Sequence, residues 1–167
     1  MKIVLDTDVL VAGLRSQRGA SSQLLQSVAQ HEVSVAASTA LILEYEDVLR
    51  RPGMVPGLDD REIADFLDDF CNIASEAHIY FRWRPFLSDP KDDLVFECAL
   101  AAGATHIVTC NIKDFHGLEP FDISVVTPYE FFTKLKPRAP YGLISLIPFG
   151  NGWSISLARR VSQRTIS

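Results

Sequence analysis

Carboxylates recur along this chain where apolar segments end. Asp6 and Asp8 interrupt IVLDTDVLV near the N-terminus, and Glu44 sits within STALILEYEDVL. Asp92 and Asp93 follow the Asp89-Pro90 turn, and Asp114 lies in NIKDF shortly after the apolar HIVT. Carboxylates are seldom fully buried unless paired or bound to a cation. Gathered at one place they repel and raise one another's pKa, a strain that a hard cation relieves. Mg2+ and Mn2+ favour oxygen ligands, and Mg2+ keeps several waters in its shell. Such an ion lowers the pKa of a bound water, orients its attack and stabilises developing charge, which suits phosphodiester hydrolysis.

Taken singly, each acid has an ordinary explanation. Asp92 or Asp93 would stabilise the start of a helix. Asp114 is a turn former, and Glu44 fits an exposed helix position. Asp6 is the hardest to explain this way, because it directly continues a buried apolar run. Nothing competes with the acids as a chemical centre: the sequence has no Ser/His/Asp set, Gly-rich phosphate loop or zinc-type Cys/His spacing. His31, His78, His106 and His116 are scattered and read as structural.

The elements that must position these acids alternate between strand and helix. IVLDTDVLV reads as a strand buried on both faces, with Lys2 to Leu5 its clearest part. A helix capped by Ser21 or Ser22 runs to about Gln30, followed by a strand over Val33 to Ala37. Thr39 to Arg51 is helical and ends at Pro52-Gly53. Asp59 with Glu62 three residues on predicts a capped helix, with Ile63, Phe66, Leu67, Phe70 and Ile73 on its apolar face. His78 to Trp83 reads as a strand and Lys91 to Ala102 as a helix closed by Gly103. His106 to Thr109 and Ser124 to Val126 read as strands, and Tyr129 to Leu135 as a last helix. This order predicts an α/β fold with a mainly parallel central sheet between helical layers. In such sheets ligands bind beyond the carboxyl ends of the strands, where Asp6 is expected.

The chain has 167 residues, 47% of them hydrophobic, and a formal net charge of −5. That fits one domain with a sizeable core and argues against nucleic-acid binding through bulk positive charge. Cys71, Cys98 and Cys110 are odd in number and widely spaced, so they read as reduced core residues rather than a disulfide framework. No apolar run is long enough to span a bilayer, and no stretch has the pattern of a signal peptide. The expectation is a cytoplasmic protein with no membrane partner. After Pro137, further prolines and glycines and the basic SLARRVSQR change the character of the sequence. The predicted division is a folded domain over 1–136 and a C-terminal extension over 137–167.

IVLDTDVLVAGL, STALILEYEDVLRRP, DPKDDLVFECALAAGATHIVTCNIKDF and VVTPYEFF, in this order, resemble the PIN-domain ribonucleases. Within that family they look most like the VapC-like toxin components of bacterial toxin–antitoxin pairs. The resemblance covers roughly residues 1–136. It implies a three-layer α/β/α fold, Mg2+ or Mn2+ as cofactor, RNA as substrate, a protein antitoxin as partner and a homodimer. By the same resemblance Asp6, Glu44, Asp93 and Asp114 are the acids that hold metal and carry catalysis. Asp93 is preferred to Asp92 because it directly precedes the apolar run LVFECALA. Thr7 and Thr109 would place supporting hydroxyls near the metal, and Asp8 would support the loop. The sequence departs from many family members at Asn111, where they carry aspartate; Asn111 can still meet water or substrate. Arg15, Arg18, Lys91 and Lys113 are candidate RNA contacts, whereas Tyr80 and Trp83 read as core or dimer-face residues.

Two other readings follow from the same residues. A non-catalytic PIN-fold module that binds RNA or protein would keep the fold without the activity, and Asn111 is the feature that favours it. A phosphatase or receiver-type domain would need an acceptor aspartate on a middle strand, which the sequence does not supply.

Overall fold

The structure is a computed structural model that describes residues 1–135. The expected extension over 137–167, and with it the end of the domain, lies outside the described residues. Five parallel strands form one sheet in the order β3-β2-β1-β4-β5. They are β1 (Lys2–Leu5), β2 (Ser34–Ala37), β3 (Ser75–Glu76), β4 (His106–Val108) and β5 (Ser124–Val126). Six α-helices connect and cover them: α1 (Thr7–Arg15), α2 (Ala20–Ala29), α3 (Thr39–Leu49), α4 (Asp60–Ile73), α5 (Pro90–Ala102) and α6 (Pro128–Glu130). The result is the expected three-layer α/β/α arrangement.

β1 is central because it can be buried on both sides. Ile3, Val4 and Leu5 are fully buried, and Leu5 lies opposite Val108 of β4 while Ile3 lies opposite Val35 of β2. The strand does not run on through Val11 as IVLDTDVLV suggested. It stops at Leu5, Asp6 is extended at φ −75 and ψ 153, and α1 begins at Thr7. Val9, Leu10, Gly13 and Leu14 are the buried residues of α1, spaced for a helix rather than a strand. Gly13 lets α1 approach α2 closely: a Cβ there would come within 2.6 Å of Leu25 Cδ1.

The other elements follow local rules. Ser38 caps α3 by accepting the Leu41 N–H at 3.3 Å. Asp59 and Glu62 make the reciprocal capping box foreseen for α4. Ser21 and Ser22 do not cap α2; both lie inside it and are buried, with Gly19 at the N-cap. The stretch 78–83 is not a strand, and β3 is only the two residues before Ala77. The last helical stretch is short, Pro128–Glu130, and continues as a π-type turn over Phe131–Leu135.

Among the cysteines Cys98 is buried, as expected, but Cys71 and Cys110 are exposed. Cys71 shares α4 with the inward-facing Phe70 but lies off its apolar face, and Cys110 follows β4 at the open end of the sheet. Among the described residues no helix is long and apolar enough to cross a membrane.

The chain runs outward from β1 through β2 to β3, then returns along α5 to β4 on the other side of β1. The carboxyl ends of β1 and β4 therefore flank the point where the winding reverses, the place where open α/β sheets form their ligand crevice.

Candidate active site

A cleft of about 660 Å³ opens at that reversal point. Its wall includes Asp6, Asp8, Glu44, Asp89, Asp92 and Asp114, with Arg15, Arg51 and Lys91 as cations. Four parts of the chain supply the acids by different local routes. Asp6 and Asp8 come from the β1–α1 junction, Glu44 from the middle of α3, and Asp89 and Asp92 from the start of α5. Asp114 comes from the 3-10 turn Ile112–Asp114 after β4.

The β1–β4 side is the best organised. Thr109 is fully buried, and its hydroxyl lies 2.8 Å from Asp6 Oδ2 and 3.3 Å from Asp8 Oδ2. A hydroxyl has one proton to donate, so the shorter contact holds Asp6. The same oxygen accepts the Asn111 N–H at 2.9 Å, fixing the loop after β4. Asp8 accepts the Cys110 N–H at 3.0 Å. Behind Asp6, the buried Tyr45 hydroxyl of α3 donates to the Leu5 carbonyl and secures the end of β1.

These carboxylates are costly as anions. Burial, and then the neighbouring charge of Asp8, push Asp6 up to about 7, against the Thr109 hydrogen bond that favours its ionised form. Burial also raises Asp8. Asp92 is pushed up to about 6 by burial and by Asp89, Asp114, Asp8 and Asp93. The Cys110 thiol is pushed up to about 11, first by burial and then by Asp8, so it is protonated at neutral pH.

The α5 side corrects one expectation. Asp93 does not line the cleft. It is fully buried and accepts the Leu87 N–H at 2.8 Å and the Phe86 N–H at 3.3 Å. Asp92 lines the cleft instead. Consecutive helical residues point about 100° apart, so only one of the pair can face the crevice. Asp93 keeps the inward phase of the apolar residues after it, and backbone amides of the preceding loop satisfy its charge. The signal was available in the sequence: with Asp89 as N-cap, the helical phase distinguishes Asp92 from Asp93 better than adjacency to LVFECALA does. Asp8 also belongs to the cleft wall rather than only to the loop beside it.

Of the other expected residues, Thr7 and Asn111 line the cleft. Asn111 Nδ2 donates to Asp114 Oδ2, so this amide orients the peripheral acid. Glu44 is engaged by Lys91, whose ammonium lies 2.6 Å from Glu44 Oε1. Arg15 also lines the cleft, while Arg18 and Lys113 do not.

Further along the same helix, Glu97 is buried and takes a two-pronged contact from Arg84, plus the Trp83 N–H at 2.8 Å. Asp93 and Glu97 together pin the segment that leads into α5. That segment carries Tyr80, 83% exposed, and Trp83, 47% exposed with its ring edge on Phe121, so neither is a core residue.

The donor set permits a specific test of fit to a hard cation. Among the described residues, no group of three acids, histidines or cysteines stands ready to hold one ion. Mg2+ is commonly held by one or two carboxylates, with water and substrate phosphate completing the shell. Asp6 and Asp92, both on the cleft wall and both made costly as anions by burial and neighbouring acids, fit that mode and not a closed protein cage.

A family model described as PIN domain matches residues 2–113. No curated protein matches the sequence. Among solved structures, the chain is similar in fold to the crystal structure of VapBC2 from Rickettsia felis bound to a DNA fragment from their promoter. The match has a TM-score of 0.53 at 17% identity and covers 76% of this chain and 98% of that one.

Proposed function

The chain belongs to the PIN-domain family, and from that premise we propose that it is a metal-dependent endoribonuclease, the toxin of a VapC-like pair restrained by a protein antitoxin. The observation that carries this reading is the cleft at the sheet's reversal point, whose wall brings Asp6, Asp8, Glu44, Asp89, Asp92 and Asp114 together from separate parts of the chain. Mg2+ or Mn2+ would be held by Asp6 and Asp92, with Asp8, Glu44 and Asp114 in reach through water, and would supply a water activated for attack on phosphorus. Thr109 keeps Asp6 pointed into the cleft. Asn111 orients Asp114. Arg15 and Lys91, both on the cleft wall, would meet phosphates of the strand and give an otherwise acidic chain a local grip on RNA. The antitoxin and the VapC-like branch are supported by the ordered motifs and by the likeness of fold to VapBC2.

A second reading, a PIN-fold module without catalysis, is favoured by the lack of a three-ligand group among the described residues and by Asn111 in place of an acid. One experiment separates the two. Purified protein and its Asp6→Asn variant are incubated with RNA and Mn2+, and Mn2+ binding is measured by calorimetry. Cleavage by the wild type alone supports the nuclease. Equal cleavage by both removes this site from the mechanism, and no Mn2+ binding at millimolar concentration favours the module.

A further inference from the structure

Lys91 is in an odd place for a lysine. It lies in the first turn of α5, the positive end of the helix dipole, where Asp92 and Asp93 are favourable and a cation is not. Helix formation therefore does not explain it. Its ammonium instead reaches across to α3 and sits 2.6 Å from Glu44 Oε1. The pair is unequal: the Glu44 side chain is 14% exposed and that of Lys91 is 47% exposed. The carboxylate is fixed and covered, and the lysine arrives from the solvent side. Of the three cations on the cleft wall, Arg51 is held by Asp47, outside the wall, whereas Lys91 is hydrogen-bonded to one of the wall's own acids.

From this geometry we infer that Lys91 is a built-in counter-ion for Glu44 that a divalent cation displaces, and that the freed ammonium then binds a phosphate of the RNA strand. This rests on the nuclease reading and adds to it an exchange at one residue. A partly exposed ion pair changes an equilibrium about fivefold at most. The exchange therefore costs little, and a flexible lysine stem can reach either partner. Lys91 is thus a positioning residue: in the ion-free cleft it holds Glu44 in place, and in the loaded cleft it holds substrate. Metal and RNA become mutually supportive ligands, because metal binding releases the group that RNA needs.

The test uses the full chain with Lys91→Met and Lys91→Arg variants; Lys91→Gln replaces the Met variant should that one melt early. Calorimetry with MnCl2 alone reads the first half. The Met variant should bind Mn2+ about two- to fivefold more tightly than wild type, and the Arg variant, which keeps the charge, should match wild type. Fluorescence anisotropy with a fully 2′-O-methylated RNA oligonucleotide, at saturating Mn2+, reads the second half. There the Met variant should bind several-fold more weakly, with a log-log salt slope smaller by about 0.7, the loss of one phosphate contact on a single strand. Equal or weaker Mn2+ binding by the Met variant, with wild type binding normally, overturns the Lys91 exchange and leaves the nuclease standing. Unchanged RNA affinity and salt slope overturn its substrate half. No Mn2+ binding by any of the proteins removes the nuclease reading and the exchange together.

Discussion

Replacing Asp92 and Asp93 one at a time separates chemistry from architecture at two adjacent residues. Asp93 is fully buried, and its carboxylate accepts the Leu87 N–H at 2.8 Å and the Phe86 N–H at 3.3 Å. Asparagine there can keep an oxygen at the Oδ1 position that accepts both amides, but it loses the charge and puts a buried NH2 group in place of Oδ2, where it faces the Phe86 N–H. Hydrogen bonds to a charged group contribute about 1.5–3 kcal/mol, and a buried unsatisfied donor costs about 1–3 kcal/mol. Asp93→Asn should therefore destabilise the protein by about 2–4 kcal/mol. For a chain of this size that lowers the melting temperature by about 5–15 °C. Asp92 is the opposite case. Its neighbours Asp89, Asp114, Asp8 and Asp93 all disfavour its charge. Neutralising it relieves repulsion, so Asp92→Asn should melt at or slightly above the wild-type temperature in EDTA. Its Mn2+ affinity should fall tenfold or more, because one of the two proposed direct ligands has lost its charge. Thermal melting in EDTA and Mn2+ calorimetry on both variants make a double dissociation. The reasoning fails if Asp93→Asn melts like wild type yet loses Mn2+, which would make Asp93 the ligand. It also fails if Asp92→Asn binds Mn2+ as well as wild type does.

Three further outcomes are expected. Asp6 has its pKa raised from 3.8 to about 7 in the fold, so the stability it contributes is complete below about 3.8 and is lost as pH rises through 7. In EDTA, Asp6→Asn should thus gain on wild type by about 2–3 kcal/mol between pH 5 and pH 8, a difference read by paired denaturant titrations; a constant gap would contradict the burial of the ionised acid. Tyr45→Phe removes the donor to the Leu5 carbonyl and should cost about 1–2 kcal/mol, seen as a lower urea midpoint at unchanged slope, together with weaker Mn2+ binding as Asp6 loses its support; an unchanged midpoint would show that the carbonyl is satisfied otherwise. Arg84→Ala strands the buried carboxylate of Glu97 and should cost about 2–4 kcal/mol, largely recovered by adding Glu97→Gln; simple additivity of the two substitutions would mean that the pair does not hold the loop before α5.

The parts of this molecule legible in its sequence are those fixed by neighbours along the chain. The Asp59–Glu62 capping box, the apolar face of α4, the strands at Lys2–Leu5 and Ser124–Val126 and the close of α5 at Gly103 each depend on residues within a few positions. The missing pieces turn on phase or on partners far away. IVLDTDVLV is apolar enough to read as one strand, and only the helical spacing of Val9, Leu10, Gly13 and Leu14 shows that it turns at Asp6. The same ambiguity decided the acids. Asp92 and Asp93 are interchangeable in composition but not around a helix, and which one meets the cleft depends on where α5 starts and on the amides of Phe86 and Leu87 that wait for the other. Tyr80 and Trp83 read as core or dimer-face residues by type, and the core half of that reading fails because two buried carboxylates on α5 hold their segment at the surface. A buried acid next to a site acid is thus a structural requirement of that site. The carboxylate that faces inward fixes the loop and helix whose next residue faces out, so such a pair of aspartates is better read as one anchor and one functional group than as two candidates for the same role.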